Sequence, residues 1–139
     1  MEPKKVQRVG SYAWITSGDH VLLSLLCKGP NSGKWGLVGG GIEFGETPRE
    51  ALIREVKEEA GIELTAKPEL LEVFSHHYDH PEAMQFISVV HRVILSSQLP
   101  CKKDGDGFSS AGTKWFAISE LDRENLHPSV LKVLAILES

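Results

Sequence analysis

The segment from Thr47 to Gly61 constrains the fold most, because it contains signals for both the start and the end of a helix. Thr47 is a favourable N-cap, Pro48 suits the first helical position, and Glu50 completes a capping box. Gly61 can adopt the left-handed conformation that commonly ends a helix. The sequence therefore predicts a single helix that begins at Pro48 and ends just before Gly61, with a glycine-rich loop ahead of it.

Strand-like segments surround this helix. Residues 9–16 are rich in β-branched and aromatic side chains, which favours a strand. Residues 21–27 form a nearly continuous apolar run, which predicts a strand buried on both faces, with Cys27 as a core residue. Further strands are expected at 70–78, 86–95 and 115–118, a surface loop at 96–113, and an apolar final helix at 128–138. This order predicts an α/β fold in which a mixed sheet carries helices on both faces.

Length, charge and cysteine content limit the possible functions. At 139 residues the chain is long enough for one domain, residues 1–139. A net charge of −4 argues against duplex nucleic acid as a partner, and no apolar run approaches the roughly 20 residues that span a bilayer. The amino terminus lacks the apolar stretch of a signal peptide, and two cysteines fit a reduced cytoplasmic protein. We expect a monomer or a homodimer.

The helix carries two distinct faces. Four apolar side chains share the face that we expect to be buried, namely Leu52, Ile53, Val56 and Ala60. Glu55, Glu58 and Glu59 share a second arc, where their like charges repel and oppose the helix dipole. A divalent cation would offset this cost, and carboxylate oxygens suit magnesium or manganese. The alternative is a solvated acidic face on an amphipathic helix.

A longer pattern favours the metal site. Gly40 is followed after five residues by Glu46, and Glu46 after seven residues by Arg-Glu-Val-Lys-Glu-Glu-Ala-Gly-Ile at 54–62. This segment resembles the Nudix box, and every specified position of the box is filled. The resemblance extends over essentially the whole chain, through Trp-Gly-Leu at 35–37 and Trp-Phe at 115–116, although the box is far more specific than these flanks.

The resemblance implies an α/β/α sandwich with a mixed β-sheet and a metal-dependent hydrolase. It implies four ligands for Mg²⁺ or Mn²⁺, namely the Gly40 carbonyl and the carboxylates of Glu55, Glu58 and Glu59. Arg54 would orient the catalytic site by pairing with a carboxylate, that of Glu46 or Glu55. Water would then cleave a phosphoanhydride bond, with the metal neutralising the diphosphate and lowering the pKa of the attacking water.

The substrate is implied less closely. A small nucleotide is expected, above all a nucleoside triphosphate giving a nucleoside monophosphate and pyrophosphate. A dinucleoside polyphosphate or a nucleotide sugar is the alternative. Tyr78 lies where some dinucleoside-polyphosphate hydrolases of the family carry a base-stacking tyrosine, whereas the proline of many ADP-ribose pyrophosphatases is absent, Pro81 being three residues late. Lys34, with Lys102 and Lys103, is a candidate for steering phosphates.

The chain departs from many relatives at two places. Val38 replaces a proline ahead of the double glycine, which removes no chemistry. Many relatives also place a glutamate just before the Trp-Phe strand, but residues 109–113 contain no carboxylate. Asp104 and Asp106 are the nearest substitutes, so the sequence leaves the general base open.

Three features could point to functions other than hydrolysis. His76, His77 and His80 could suggest zinc, but adjacent strand residues point to opposite faces, so a substrate-facing or merely exposed role is favoured. A catalytically silent nucleotide-binding module of the same fold would be expected to lose box glutamates, and all are present. An isomerase of isoprenoid diphosphates would need catalytic Cys and Glu residues, and Cys27 and Cys101 lie in unsuitable contexts.

Overall fold

The computed structural model describes residues 4–79, 83–105 and 110–139. Within these ranges one mixed sheet is built from seven strands: β1 (Lys5–Ser17), β2 (His20–Leu26), β3 (Trp35–Gly36), β4 (Val38–Gly41), β5 (Glu69–Tyr78), β6 (Ala83–Ile94) and β7 (Ser110–Ala117). Two α-helices accompany the sheet, α1 (Pro48–Ala60) and α2 (Pro128–Glu138). Short 3₁₀ turns at Ile118–Glu120 and Arg123–Asn125 connect β7 to α2.

Strand β1 is the centre of the sheet. It runs parallel to β6 along almost its whole length, from Lys5 opposite Ala83 to Thr16 opposite Ile94. Its other partners are antiparallel: β2 pairs with its last residues, and β4 pairs with its middle. Strand β5 extends the sheet beyond β6, while β3 and β7 both pair with β2. The expected mixed sheet is thus confirmed.

The two helices cover opposite faces of this sheet. Consecutive side chains of a strand point to opposite faces, so Leu22 packs with the α1 residues Leu52 and Val56, whereas Leu23 packs with the α2 residue Val133. The continuous apolar run of β2 is therefore explained by burial on both faces, as the sequence predicts. The α/β/α sandwich is confirmed.

Two local predictions about burial are wrong. Ile53 is 40% exposed, because the buried arc of α1 is centred near Leu52 and Glu59. Ile53 lies about 100° away from the centre of this arc. Cys27 is exposed rather than part of the core, because β2 ends at Leu26 and the chain turns there. In this turn the Leu26 N–H donates to the Lys34 carbonyl at 2.9 Å.

The predicted loop at 96–113 is also shorter than expected, because Ser110 already begins β7. Its polar side chain is buried and lies 2.7 Å, Oγ to Oγ, from the buried Ser24 of β2. A strand can therefore include these polar residues, since each hydroxyl has a hydrogen-bond partner in the neighbouring strand. Neither helix in the described part of the chain has the length and hydropathy that crossing a bilayer requires.

The capping box of α1 yields a prediction about stability. The Glu50 N–H donates to Thr47 Oγ1 at 3.1 Å, and the Thr47 N–H donates to the Glu50 carboxylate at 2.9 Å. Replacing Thr47 with Ala should lower the free energy of unfolding by about 1 kcal/mol, because a helix N–H loses its acceptor. Thr47→Ser is the matched control and should stay close to wild type in urea unfolding. Equal loss in both variants would contradict the role of the hydroxyl.

Candidate functional site

The carboxyl end of β4 and helix α1 bring the box residues together. Strand β4 pairs with β1 so that Gly40 lies opposite Ser11. The Ser11 hydroxyl donates to the Pro48 carbonyl at 2.6 Å, which fixes the first turn of α1 against the same strand. The loop between β4 and α1 is thereby held at both ends, and the side chains of both elements converge on one place.

The Arg54 guanidinium lies at the centre of this cluster. It binds the Glu46 carboxylate with two parallel hydrogen bonds, from Nε to Oε2 and from Nη2 to Oε1, both 2.8 Å long. Nη1 donates to Glu55 at 2.8 Å and to Glu58 at 3.3 Å, and Nη2 donates to the Gly41 carbonyl at 3.0 Å. The predicted pairing of Arg54 is confirmed, and it includes both Glu46 and Glu55.

These contacts fix the charge of the pair. Hydrogen bonds from Arg54, and then from the Glu43 backbone N–H, lower the pKa of Glu46 to about 2. The same interaction with Glu46 raises the pKa of Arg54 above its usual value. Both groups are therefore ionised throughout the neutral range, and the bidentate geometry is the strong form of this contact.

Gly40 lets the Glu55 carboxylate approach the backbone. A Cβ at position 40 would lie 2.5 Å from both Cδ and Oε2 of Glu55, a separation that real side chains do not reach. Any larger residue at position 40 would push this carboxylate away. Gly40 therefore permits this close approach of Glu55 to the backbone.

Glu59 is the buried carboxylate of the cluster, and its charge acts on Tyr12, whose ring packs on the α2 side of the sheet. Glu59 is only 4% exposed although it is charged in its usual state. Burial raises the pKa of Tyr12 to about 12, with further increases from the negative charges of Glu59 and then Glu55. The phenol thus remains protonated and can donate but cannot act as a base. Sequence reasoning missed Tyr12, although Gly10, two residues earlier on the same strand face, leaves the space in which its ring lies.

The donor atoms suit a hard divalent cation, but their present arrangement does not surround one. The cluster offers carboxylate and backbone carbonyl oxygens, the ligand type that magnesium and manganese prefer. Among the described residues, however, no three His, Cys, Asp or Glu side chains are grouped closely enough to hold one ion. Arg54 Nη1 lies between Glu55 and Glu58, and it keeps these two carboxylates turned towards itself. A bound cation would require them to turn.

A pocket of about 190 Å³ opens beside Tyr12, which lines its wall. The predicted substrate residue Tyr78 also lines this pocket, and its ring packs edge to face on Phe86 with the centroids 6.0 Å apart. The Tyr78 hydroxyl accepts a hydrogen bond from Asn31 at 3.4 Å. Tyr12 therefore lines a partly aromatic pocket and also lies within range of the charges of Glu59 and Glu55.

The other candidate residues are spread more widely. Lys34 does not line the pocket, although its charge acts on His127 at the pocket wall. Lys102 approaches the end of α1, where its Nζ donates to the Glu58 carbonyl at 3.5 Å. Asp104 is exposed in the segment that follows. Asp106, Pro81 and His80 lie outside the described residues.

The neighbouring histidines on β5 point apart, as expected for adjacent strand residues. His77 is exposed, and its Nε2 lies 3.1 Å from Asp79. His76 faces the opposite way, and its Nδ1 lies 3.5 Å from Lys132 Nζ on α2. The two imidazoles therefore do not point towards one ion.

His127 is a further residue that sequence reasoning missed. It is the N-cap of α2, and its Nδ1 accepts a hydrogen bond from the Ser129 N–H at 3.0 Å. Burial lowers the pKa of His127 to about 4, helped by His76, Lys34 and Lys132. A histidine directly before Pro128 at the start of an apolar helix was the signal available in the sequence.

Comparisons with known proteins agree with this geometry. The family model described as NUDIX domain matches residues 6–136. The nucleoside triphosphatase NudI of Enterobacter sp. (strain 638) is 53% identical over 49 residues, which cover 30% of this chain and 35% of that protein. NudI of Shigella flexneri is 51% identical over 45 residues, covering 29% and 32%. The match spans about a third of the length of these relatives.

Solved structures are similar over nearly the whole chain. The MutT NUDIX hydrolase from Burkholderia pseudomallei has a TM-score of 0.78 and 27% identity, covering 93% of this chain and 96% of that one. A bifunctional NMN adenylyltransferase/ADP ribose pyrophosphatase from Francisella tularensis, complexed with AMP and a manganese ion, has a TM-score of 0.79. It is 24% identical and covers 98% of this chain but 42% of that one, so it supports the fold alone.

The contacts of Arg54 generate a prediction about the titration of Glu46. Arg54→Lys should raise the pKa of Glu46 from about 2 towards its ordinary value, because an ammonium cannot form the two parallel hydrogen bonds. Carboxyl ¹³C chemical shifts followed against pH would measure this change. Arg49→Lys, on the exposed face of the same helix, is the matched control and should leave the Glu46 titration unaltered. An unchanged Glu46 pKa in Arg54→Lys would contradict the assignment.

Proposed function

The chain belongs to the Nudix family, and on that premise we propose that it is a divalent-metal-dependent hydrolase of nucleoside diphosphate-linked substrates. One observation carries the proposal: the box carboxylates of Glu46, Glu55 and Glu58 are gathered around Arg54, and Glu59 is buried on the same helix. The reaction is hydrolysis of a phosphoanhydride bond, in which positioning and charge neutralisation provide most of the rate enhancement.

The roles of the glutamates follow from their positions. Glu55, Glu58 and Glu59, with the Gly40 carbonyl, would hold Mg²⁺ or Mn²⁺. When bound, such a cation neutralises a diphosphate and lowers the pKa of an attacking water. Glu59 would contribute from the buried side and Glu58 from the exposed side, because Glu59 is 4% exposed whereas the Glu58 side chain is 54% exposed.

Arg54 and Glu46 would act as positioning residues. Glu46 anchors the guanidinium from the loop, while the guanidinium offsets the repulsion among the helix carboxylates. We expect lysine at position 54 to impair turnover despite the conserved charge, because the planar fork that contacts Glu46, Glu55 and Gly41 at once is lost.

Asp104 is the candidate general base that the structure describes. The Lys102 N–H donates to the Ala60 carbonyl at 2.8 Å, so the segment containing Asp104 runs beside the carboxyl end of α1. Asp104 follows two residues later and has an exposed side chain. Asp106 stays the alternative that the sequence offers.

The substrate we propose is a nucleoside triphosphate, cleaved to a nucleoside monophosphate and pyrophosphate. The pocket of about 190 Å³ has room for one base, and its aromatic wall suits stacking. The match to NudI nucleoside triphosphatases over 49 residues supports the same choice. Tyr78 lies in the pocket, which favours a dinucleoside polyphosphate as the second candidate.

A substrate panel tests this proposal. Nucleoside triphosphates, ADP-ribose and a diadenosine polyphosphate would be compared by product release with and without magnesium. We expect metal-dependent pyrophosphate release from at least one triphosphate. If ADP-ribose or the diadenosine compound were preferred tenfold in kcat/KM, about 1.4 kcal/mol of transition-state stabilisation, the substrate choice would be wrong. Absence of metal-dependent hydrolysis of every compound would contradict the activity.

The clustered glutamates should matter for catalysis and not for folding. Glu58→Gln and Glu59→Gln should each lower turnover by several orders of magnitude, because each removes a charged oxygen ligand. Metal-free stability should be unchanged or higher, since like-charge repulsion is reduced. Glu63→Gln is the control, because this carboxylate lies just beyond the helix and pairs with Lys57 at 2.9 Å. Near-normal turnover of either box variant would refute its assignment as a ligand.

Metal should also stabilise the folded protein. A cation that binds only the native state adds about 2.7 kcal/mol at a hundred times its Kd, so Tm should rise when magnesium or manganese follows chelator treatment. The double variant Glu58→Gln/Glu59→Gln should lose most of this increase. A Tm that responds to neither chelator nor metal, together with metal-independent activity, would exclude the proposed site.

A further inference from the structure

We propose that His127 donates a hydrogen bond from Nε2 to the nucleobase. The pocket would then select bases that present a carbonyl oxygen to this N–H over bases that present an amino group. The inference rests on the proposed function, because it takes the pocket beside Tyr12 to be the base site. It adds the class of base, namely guanine, uracil and thymine as opposed to adenine and cytosine.

The tautomer of His127 is fixed by the helix that it caps. The Ser129 backbone N–H lies 3.0 Å from Nδ1, and a backbone N–H can only donate. Nδ1 must therefore carry a lone pair, and the proton of the neutral imidazole is on Nε2. The Ser129 hydroxyl lies 2.8 Å from the same nitrogen, which leaves Nδ1 fully engaged. His127 lines the pocket, and the nitrogen that this ring has left to offer a ligand is the Nε2–H donor.

The ring is neutral under ordinary conditions. It is half-buried, and the groups that face it are His76 from β5, Lys34 from the connection between β2 and β3, and Lys132 from α2. All of these disfavour a second proton on the ring. His127 therefore acts as an uncharged donor and not as a cation that would attract phosphate.

A second imidazole behaves in the same way. Lys132 Nζ lies 3.5 Å from Nδ1 of His76, and because an ammonium can only donate, the His76 proton is also on Nε2. That Nε2 is buried and has no hydrogen-bond partner among the described residues. The rings of His76 and His127 lie edge to face with centroids 6.1 Å apart, so His76 supports the His127 ring, while its own buried Nε2 is not open to a ligand in the pocket.

Tyr78, two residues from His76 on the same face of β5, adds another donor. The Tyr78 hydroxyl already accepts from Asn31, so its own hydrogen is free to point at a ligand. A carbonyl oxygen can accept from such donors, whereas an exocyclic amino group would place N–H against N–H. Leaving buried donors unsatisfied carries a large penalty, which is why a hydrogen-bonding pocket discriminates more sharply than an apolar one.

Binding measurements on matched nucleotides test the inference independently of hydrolysis. α,β-Methylene triphosphates of guanosine and 2,6-diaminopurine riboside differ at C6 by a carbonyl against an amino group, and those of uridine and cytidine differ likewise at C4. Calorimetry on the magnesium-loaded protein should show at least one carbonyl analogue binding tenfold or more tightly than its amino partner, about 1.4 kcal/mol.

His127→Ser is the decisive variant. Serine is a strong N-cap, so α2 keeps its cap while the pocket loses the donor. In this variant the carbonyl and amino analogues should bind with affinities within about twofold of each other, instead of the tenfold difference, about 1.4 kcal/mol, expected of the unaltered protein. Ser129→Ala keeps both the backbone N–H and the imidazole donor, so it serves as the control and should retain the preference.

A measurement on the unaltered protein covers the case in which His127→Ser fails to fold. Imidazole ¹⁵N spectra should show His127 protonated at Nε2, with this resonance shifted by the carbonyl analogue and not by the amino analogue. Equal affinities for both members of each pair, a preference that survives in His127→Ser, or binding of no analogue would overturn the inference. Hydrolysis of the unmodified nucleotides, measured in parallel, shows separately whether the proposed function stands.

Discussion

The bidentate ion pair between Arg54 and Glu46 is the interaction on which the organisation of the site depends. It ties the loop after β4 to the middle of α1, and the remaining donors of the guanidinium reach Glu55, Glu58 and the Gly41 carbonyl. Without this cation, several carboxylates would be concentrated towards the carboxyl end of a helix, where the dipole already disfavours negative charge. The guanidinium therefore offsets the repulsion among these carboxylates.

Strand β1 connects this cluster to the pocket. Its central position fixes β4 on one side and β6 on the other, so one strand positions both the acidic helix and the pocket wall. Tyr12 on β1 lines the pocket, and the charges of Glu59 and Glu55 add to the effect of burial in raising its pKa.

The sequence predicts the features that depend on short-range rules. The bounds of α1 follow from Thr47 and Gly61, and the acidic arc follows from helical spacing. Sequence-based prediction fails where tertiary contacts determine the structure. The rotation of α1 about its axis exposes Ile53, and the contact between the hydroxyls of Ser24 and Ser110 lets β7 begin at Ser110. Tyr12 and His127 were missed for the same reason, since their roles arise from segments distant in sequence.

The NMR signal of the Arg54 Nε–H tests the central claim most directly, because this atom donates to Glu46 at 2.8 Å. In the metal-free protein it should be resolved and exchange slowly with water, unlike that of the exposed Arg49. Stoichiometric Mn²⁺ should then broaden the Arg54 signal strongly and leave the Arg123 signal, near the end of α2, least affected. The account would be contradicted if the Arg54 Nε–H exchanged as fast as that of Arg49, or if Mn²⁺ left its signal unchanged, because the metal is expected to bind the carboxylates that surround Arg54.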